Sequence, residues 1–220
     1  FIASDIPAIL DHTREVLIIE DGEVVLVKSD EVYIEADGKP VKREPFYVSW
    51  DPITAEKGGY RHFMLKELYE QPLAVTDTFR GRLNQQTEKV VLEELKLTSE
   101  QAKNIDKVSA VACGTAWHAA QVIRFFIEEF AKVSMEVDYA SEFRYRSLLV
   151  SKNTLALAIS QSGETADTLG ALKYAGLEGA TKVAICNVVG SSIARASEHI
   201  IYTHAGPEIS VASTKAFATQ

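Results

Sequence analysis

Residues 14–35, REVLIIEDGEVVLVKSDEVYIE, alternate apolar and polar positions, and the Asp21-Gly22 pair among them has the composition of a tight hairpin turn. This pattern predicts antiparallel strands, with a second turn marked by ADGKP at residues 36–40. All periodicity stops in SWDPITAEKGGY, where Pro52 and the Gly58-Gly59 pair predict a boundary. RHFMLKELYEQP then spaces Met64, Leu65, Leu68 and Tyr69 along one helical face and predicts a short helix stopped by Pro72.

Past Leu97 the pattern changes. LTSEQAKNI opens with a capping box, Thr98 followed three residues later by Gln101. Near-continuous apolar runs at 108–113, 133–140, 154–160, 182–188 and 200–205 predict strands. Helical spacing fills 116–131 and 165–177, with a short turn near 191–196. Such alternation predicts a doubly wound α/β domain, a parallel sheet covered by helices on both faces, preceded by the antiparallel hairpins.

Composition narrows the classes. With 220 residues, 46% of them hydrophobic, the chain can bury a substantial core, and it has no apolar run of about 18 residues to span a bilayer. The first residues lack a basic leader, and Cys113 and Cys186 both sit in apolar runs, which predicts a reducing, cytoplasmic setting without disulfides. The start at Phe1 and the stop at STKAFATQ predict a piece of a longer polypeptide. Residues 1–100 carry 12 Lys and Arg against 20 Asp and Glu, whereas residues 101–220 carry 11 of each. Neither part has the basic stripe that a nucleic-acid partner demands. An anion held in the second part therefore depends on neutral donors and helix ends.

Two strand ends offer such donors. The strand at 108–113 runs into CGTA and the strand at 154–160 into SQSGET, each before a helix, where ligands bind in doubly wound sheets. Gly114 and Gly163 let the backbone approach a ligand, and the hydroxyls of Thr115, Ser160, Ser162 and Thr165 can donate to oxyanions. The same residue types also cap helices, so one such loop fits either role; two loops on neighbouring strand ends favour a ligand. Neither loop has the lysine of a GxxxxGK[ST] loop or the GxGxxG spacing. A third stretch, EISVASTKAFATQ, reads as a loop entering a helix near Ser213, and Cys113 reads as packing or as part of a site. The five histidines show no metal-ligand spacing, and no metal is expected.

Taken together, ACGTAWHAA, SEFRYR, SQSGETADTL, AICNVVGSS and EISVASTKAF resemble the first sugar-isomerase (SIS) domain of the glutamine:fructose-6-phosphate aminotransferase family, and the hairpins and YRHFMLKELYEQP resemble the end of that family's glutaminase domain and its linker. The resemblance implies glutaminase sequence at 1–58, linker at 59–97 and SIS domain at 98–220. It implies that Ser160, Gln161, Ser162, Thr165 and Thr115 hold a sugar phosphate, fructose 6-phosphate or glucosamine 6-phosphate, and that Cys113, Gly114, Val211 and Ser213 line the sugar. No organic cofactor is implied, a homodimer is, and the remaining partner is the rest of the same polypeptide. One position departs from the family, Ala116 standing where serine is frequent. The family's glutaminase nucleophile is an N-terminal cysteine, whereas Phe1 begins this chain, and its isomerase base and Schiff-base lysine belong downstream. By that reading the piece binds sugar phosphate without catalysing. The competing readings are a noncatalytic SIS module that senses a sugar phosphate and a deglycase or isomerase without glutaminase.

Overall fold

The computed structural model describes all residues except 4, 5, 7, 8, 11, 49–56, 85, 147 and 148, so most of the predicted boundary stretch lies outside the described residues. The chain divides into two compact units, Phe1–Glu56 and Lys57–Gln220.

In the first unit, β1 (Glu15–Val16) pairs antiparallel with β5 (Phe46–Tyr47), while β2 (Glu23–Val27), β3 (Val32–Ala36) and β4 (Lys39–Val41) form an antiparallel meander. The hairpin expected around Asp21-Gly22 is absent there, because β1 takes β5 as its partner. The turn between β2 and β3 falls at residues 28–31, closed by Lys28 N–H donating to the Glu31 carbonyl at 2.9 Å. Asp37-Gly38 does form a two-residue turn, with φ of 50° and 73°, the positive pair that a type I′ hairpin requires. Leu10, Val16 and Val48 make this unit's small core.

The second unit opens with α1 (Phe63–Phe79), which passes through Pro72 instead of stopping there. Proline removes the N–H that would reach the Leu68 carbonyl, and the Gln71 side-chain amide donates to that carbonyl at 3.1 Å in its place. The apolar face of α1 is not the buried one: Met64, Leu65, Leu68 and Tyr69 are exposed, and Lys66, Glu67 and Ala74 are buried. A short ribbon of β6 (Leu83–Asn84) and β7 (Lys89–Val90) follows, and then α2 (Ser99–Lys103), whose Thr98–Gln101 capping box is fully formed.

The five remaining strands are parallel: β8 (Lys107–Ala112), β9 (Ser134–Tyr139), β10 (Thr154–Ser160), β11 (Thr181–Cys186) and β12 (His199–Tyr202). Between them lie α3 (Thr115–Phe126), which continues as a π-helical turn over Ile127–Ala131, then α4 (Ala140–Phe143), α5 (Ala166–Leu177) and α6 (Ser192–Ala196). The chain closes with α7 (Lys215–Thr219). Period-two alternation splits the strands between two cores. Val108, Ala110, Ala112, Leu157 and Ile159 pack on the α3 side with Ala116, Ala120 and Met135. Val111, Ala156, Ala158 and Ala184 pack on the other side with Phe143, Ala171, Leu172 and Ile193. Helices on both faces make this the doubly wound α/β sandwich that the sequence predicts.

Candidate functional site

The strand order is β12-β11-β10-β8-β9. Read from β9, it is the 2-1-3-4-5 order of doubly wound sheets, whose crevice opens where the winding reverses, between the first and third strands in the chain. Here those strands are β8 and β10. Their pairing runs from Thr154↔Lys107 to Ala158↔Val111, so the loops leaving Ala112 and Ser160 emerge side by side at the carboxyl edge.

The β10 loop is built on hydroxyls. Ser160 is buried, its Oγ accepts the Gly163 N–H at 3.0 Å and lies 3.3 Å from Thr165 Oγ1. Ser162 Oγ accepts the Glu164 N–H at 3.2 Å, and the Gln161 carbonyl accepts the Asn187 N–H at 3.3 Å. Thr165 occupies the N-cap position of α5 without using its side chain as a cap. A threonine there ordinarily satisfies an N–H of the first turn. The ladder of α5 begins with Leu169 N–H donating to the Thr165 carbonyl at 3.0 Å, and the amides of the preceding turn stay outside it. Uncapped amides, a positive helix end and two adjacent hydroxyls make a receptor for an oxyanion.

Gly163 gives this loop its shape. Its φ is +67°, and a Cβ on it would lie 2.0 Å from Ser191 Oγ, so only glycine lets the turn nest against the loop after β11. Glu164, the loop's one charge, accepts the Ser192 N–H at 2.8 Å.

The β8 loop supplies Cys113, Gly114 and Thr115. Gly114 has φ 59° and ψ −134° and precedes α3, whose first residue, Thr115, is half-buried. Cys113 is half-buried too, and Thr168 Oγ1, in the first turn of α5, donates to its sulfur at 3.9 Å, which joins the two loops. Cys186, at the end of β11, is fully buried, and burial pushes its thiol up to about 12, against the opposing effect of Ser191.

Val211 and Ser213 lie beyond β12, on a stretch whose hydrogen bonds run elsewhere. Asn187 ties its start to β11: the side chain donates to the Gly206 carbonyl at 2.7 Å and accepts from Thr203 Oγ1 and Ala205 N–H at 3.0 and 2.8 Å. Ser213 Oγ donates to Glu208 at 2.7 Å, and Val211 is fully exposed. Thus Ser160, Thr165, Cys113 and Thr168 converge, while the 209–213 stretch is organised by Glu208 and α1. Ser191, Thr168, Glu67 and Glu208 escape sequence reasoning. All four lie inside stretches that carry the family resemblance, Ser191 in AICNVVGSS, Thr168 in SQSGETADTL, Glu208 in EISVASTKAF and Glu67 in YRHFMLKELYEQP, but no spacing singles them out.

Among the described residues, no group of three His, Cys, Asp or Glu is placed to hold a metal ion, and no helix is long and apolar enough to cross a membrane.

A doubly wound sheet with hydroxyl-rich loops at its switch point defines an α/β domain of the class whose ligands bind at that edge. Residues 102–220 match the model of the SIS domain, and the chain belongs to that family. Along its whole length the chain is similar to glutamine–fructose-6-phosphate aminotransferase [isomerizing] of Clostridium acetobutylicum, at 53% identity, and of Caldanaerobacter subterraneus, at 52%. It spans 36% of each of those proteins. Among solved structures, the C-terminal domain of glucosamine-fructose-6-phosphate aminotransferase from Francisella tularensis superimposes with a TM-score of 0.69 at 43% identity, over 74% of this chain and 46% of that one.

Proposed function

We propose that this chain is the part of a glutamine:fructose-6-phosphate aminotransferase that receives the sugar phosphate. The whole enzyme converts fructose 6-phosphate and glutamine into glucosamine 6-phosphate and glutamate. Residues 1–58 belong to the glutaminase domain, 59–97 to the linker and 98–220 to the first SIS domain. Ser160, Gln161, Ser162, Thr165 and Thr115 hold the phosphate, and Cys113, Gly114, Val211 and Ser213 line the sugar. The remainder of the polypeptide and a second copy in a homodimer are its partners, and the cytoplasm its compartment.

One observation carries this reading: Ser160 and Thr165 hydroxyls meet 3.3 Å apart at the switch point, and Thr165 leaves its helix uncapped. With no side chain capping them, the first-turn amides of α5 can donate to an oxyanion, and the hydroxyls can donate beside them. The proposed receptor consists of alcohols, an amide and backbone N–H groups, which bind and orient a phosphate.

Calorimetric titration of the full-length polypeptide with fructose 6-phosphate tests the site. Ser160→Ala and Thr165→Ala should each weaken binding by about 1–3 kcal/mol, the worth of a hydrogen bond to a charged group. Unchanged affinity in both would remove the receptor. Glutamine-dependent formation of glucosamine 6-phosphate tests the enzyme, and a full-length protein that binds the sugar but makes no product would leave a sensing module instead.

A further inference from the structure

Helix α1 contributes to its unit in an unusual way. The residues it buries are charged, Lys66 at 8% and Glu67 at 2% exposure, beside Ala74 at 4%. Glu67 Oε1 accepts two backbone N–H groups, Ile209 at 2.7 Å and Ser210 at 3.2 Å, from a segment more than 140 residues away in sequence. One turn on, Glu70 receives Lys215 Nζ at 2.6 Å and lies 3.4 Å from Lys66. Lys215 is itself buried. Just before the loop, Glu208 reaches across to its far end, where its carboxylate accepts from Ser213 Oγ, Thr214 N–H, Thr214 Oγ1 and Ala216 N–H.

The 209–213 loop is therefore clamped at both ends. Glu67 holds its first two amides, and Glu208 with the Glu70–Lys215 pair holds the turn into α7. Between the clamps Val211 projects fully into solvent.

The clamp is costly as a device for stability alone. Glu67 Oε2 and Ser210 Oγ are both buried with no hydrogen-bond partner among the described residues. An unsatisfied oxygen on a buried carboxylate opposes folding, and such uncompensated costs gather at functional positions. An apolar residue at position 67 would leave two loop amides unpaired but would bury no unmatched charge.

We infer that Glu67 is a positioning residue of the sugar-phosphate site: through the Ile209 and Ser210 amides, the linker helix sets the 209–213 loop so that Val211 and Ser213 face the sugar. This rests on the proposed function, which places those two residues at the sugar. Glu70 and Lys215 steady the far end of the same loop. The linker thereby acts on selectivity for the sugar, while the phosphate receptor after β10 stands on the sheet and is independent of it.

The test separates the two halves of the ligand. In the full-length polypeptide, affinities for fructose 6-phosphate and for inorganic phosphate are measured by titration calorimetry. Glu67→Ala is expected to weaken fructose 6-phosphate by about tenfold and inorganic phosphate by less than twofold. Glu67→Gln keeps an acceptor for both amides and is expected to restore the ratio to within about threefold of wild type. A merely structural role would lower both affinities together or neither, and either result overturns the inference. Should Glu67→Ala not fold, Lys215→Met decides: it leaves Glu70 beside Lys66, and a selective loss of about threefold for the sugar supports the clamp, while an unchanged ratio refutes it. Failure of the underlying site is distinguished by Ser160→Ala with Thr165→Ala, which then changes neither affinity whatever Glu67 does.

Discussion

The β10–α5 unit and helix α1 divide their residues in opposite ways. Helix α5 buries Ala171, Leu172 and Ala175 against the sheet and begins at Thr165 without a side-chain capping bond. Helix α1 buries Lys66 and Glu67 and leaves Leu65, Leu68 and Leu73 in solvent. The difference follows from what each helix packs on. A sheet presents a broad apolar face and rewards burial of carbon, by about 25 cal/mol per Å². A loop presents unpaired backbone N–H groups, and each of those needs an acceptor. Helix α1 packs Ala74 against Ala216 of α7 and Ala205 of the stretch after β12, and its Glu70 pairs with Lys215 of α7.

The largest expected effect breaks the first half of this comparison. Gly163→Ala forces a Cβ toward Ser191 in a left-handed backbone and should cost about 2–4 kcal/mol of stability, read from denaturant midpoints. Ser191→Gly in the same chain should recover part of that loss, because the clash goes and the φ strain stays.

Next comes the cap. Thr165→Ala should change stability by less than the roughly 1 kcal/mol usual for an N-cap threonine, while costing about 1–3 kcal/mol in sugar-phosphate binding. A full capping loss in the absence of ligand would contradict the uncapped geometry.

The buried thiol gives a pH test. Cys186 is an acid whose folded value is raised from 9.0 to about 12 by burial, so the folded state is favoured below about pH 9 and loses ground as pH rises toward 12. Wild type should fall relative to Cys186→Ala by up to about 1.4 kcal/mol per pH unit above 9, measured by urea unfolding. Parallel curves would mean the thiol is open to water. Smallest of all, Leu73→Gln on the exposed face of α1 should shift the stability of the 220-residue chain by no more than about 0.5 kcal/mol, and a larger loss would place that face in a core.

How much could be read beforehand follows the same division. All five parallel strands, α5 and the Thr98–Gln101 box stand where periodicity and capping chemistry put them, since their partners are sheet neighbours or residues three apart. The Asp37-Gly38 turn was equally legible, because two positive φ angles restrict the residues allowed. The Asp21-Gly22 hairpin failed because strand pairing is a long-range choice: β1 joins β5, some thirty residues on, and a turn signal says nothing of that competitor. Pro72 misled because Gln71 supplies the missing donor. Within the site, the serines and threonine of SQSGET announce a hydroxyl-rich loop. The Ser191 wall behind Gly163 and the Glu67 clamp depend on contacts that no local spacing records.

A receptor assembled from alcohols and main-chain amides has no proton of its own to gain or lose near neutrality. On the proposed function, acid sensitivity in sugar-phosphate capture there would come from the guest, whose second phosphate ionisation lies near 6. The protein would then discriminate monoanion from dianion passively, with the solution, and not a side chain, setting the threshold.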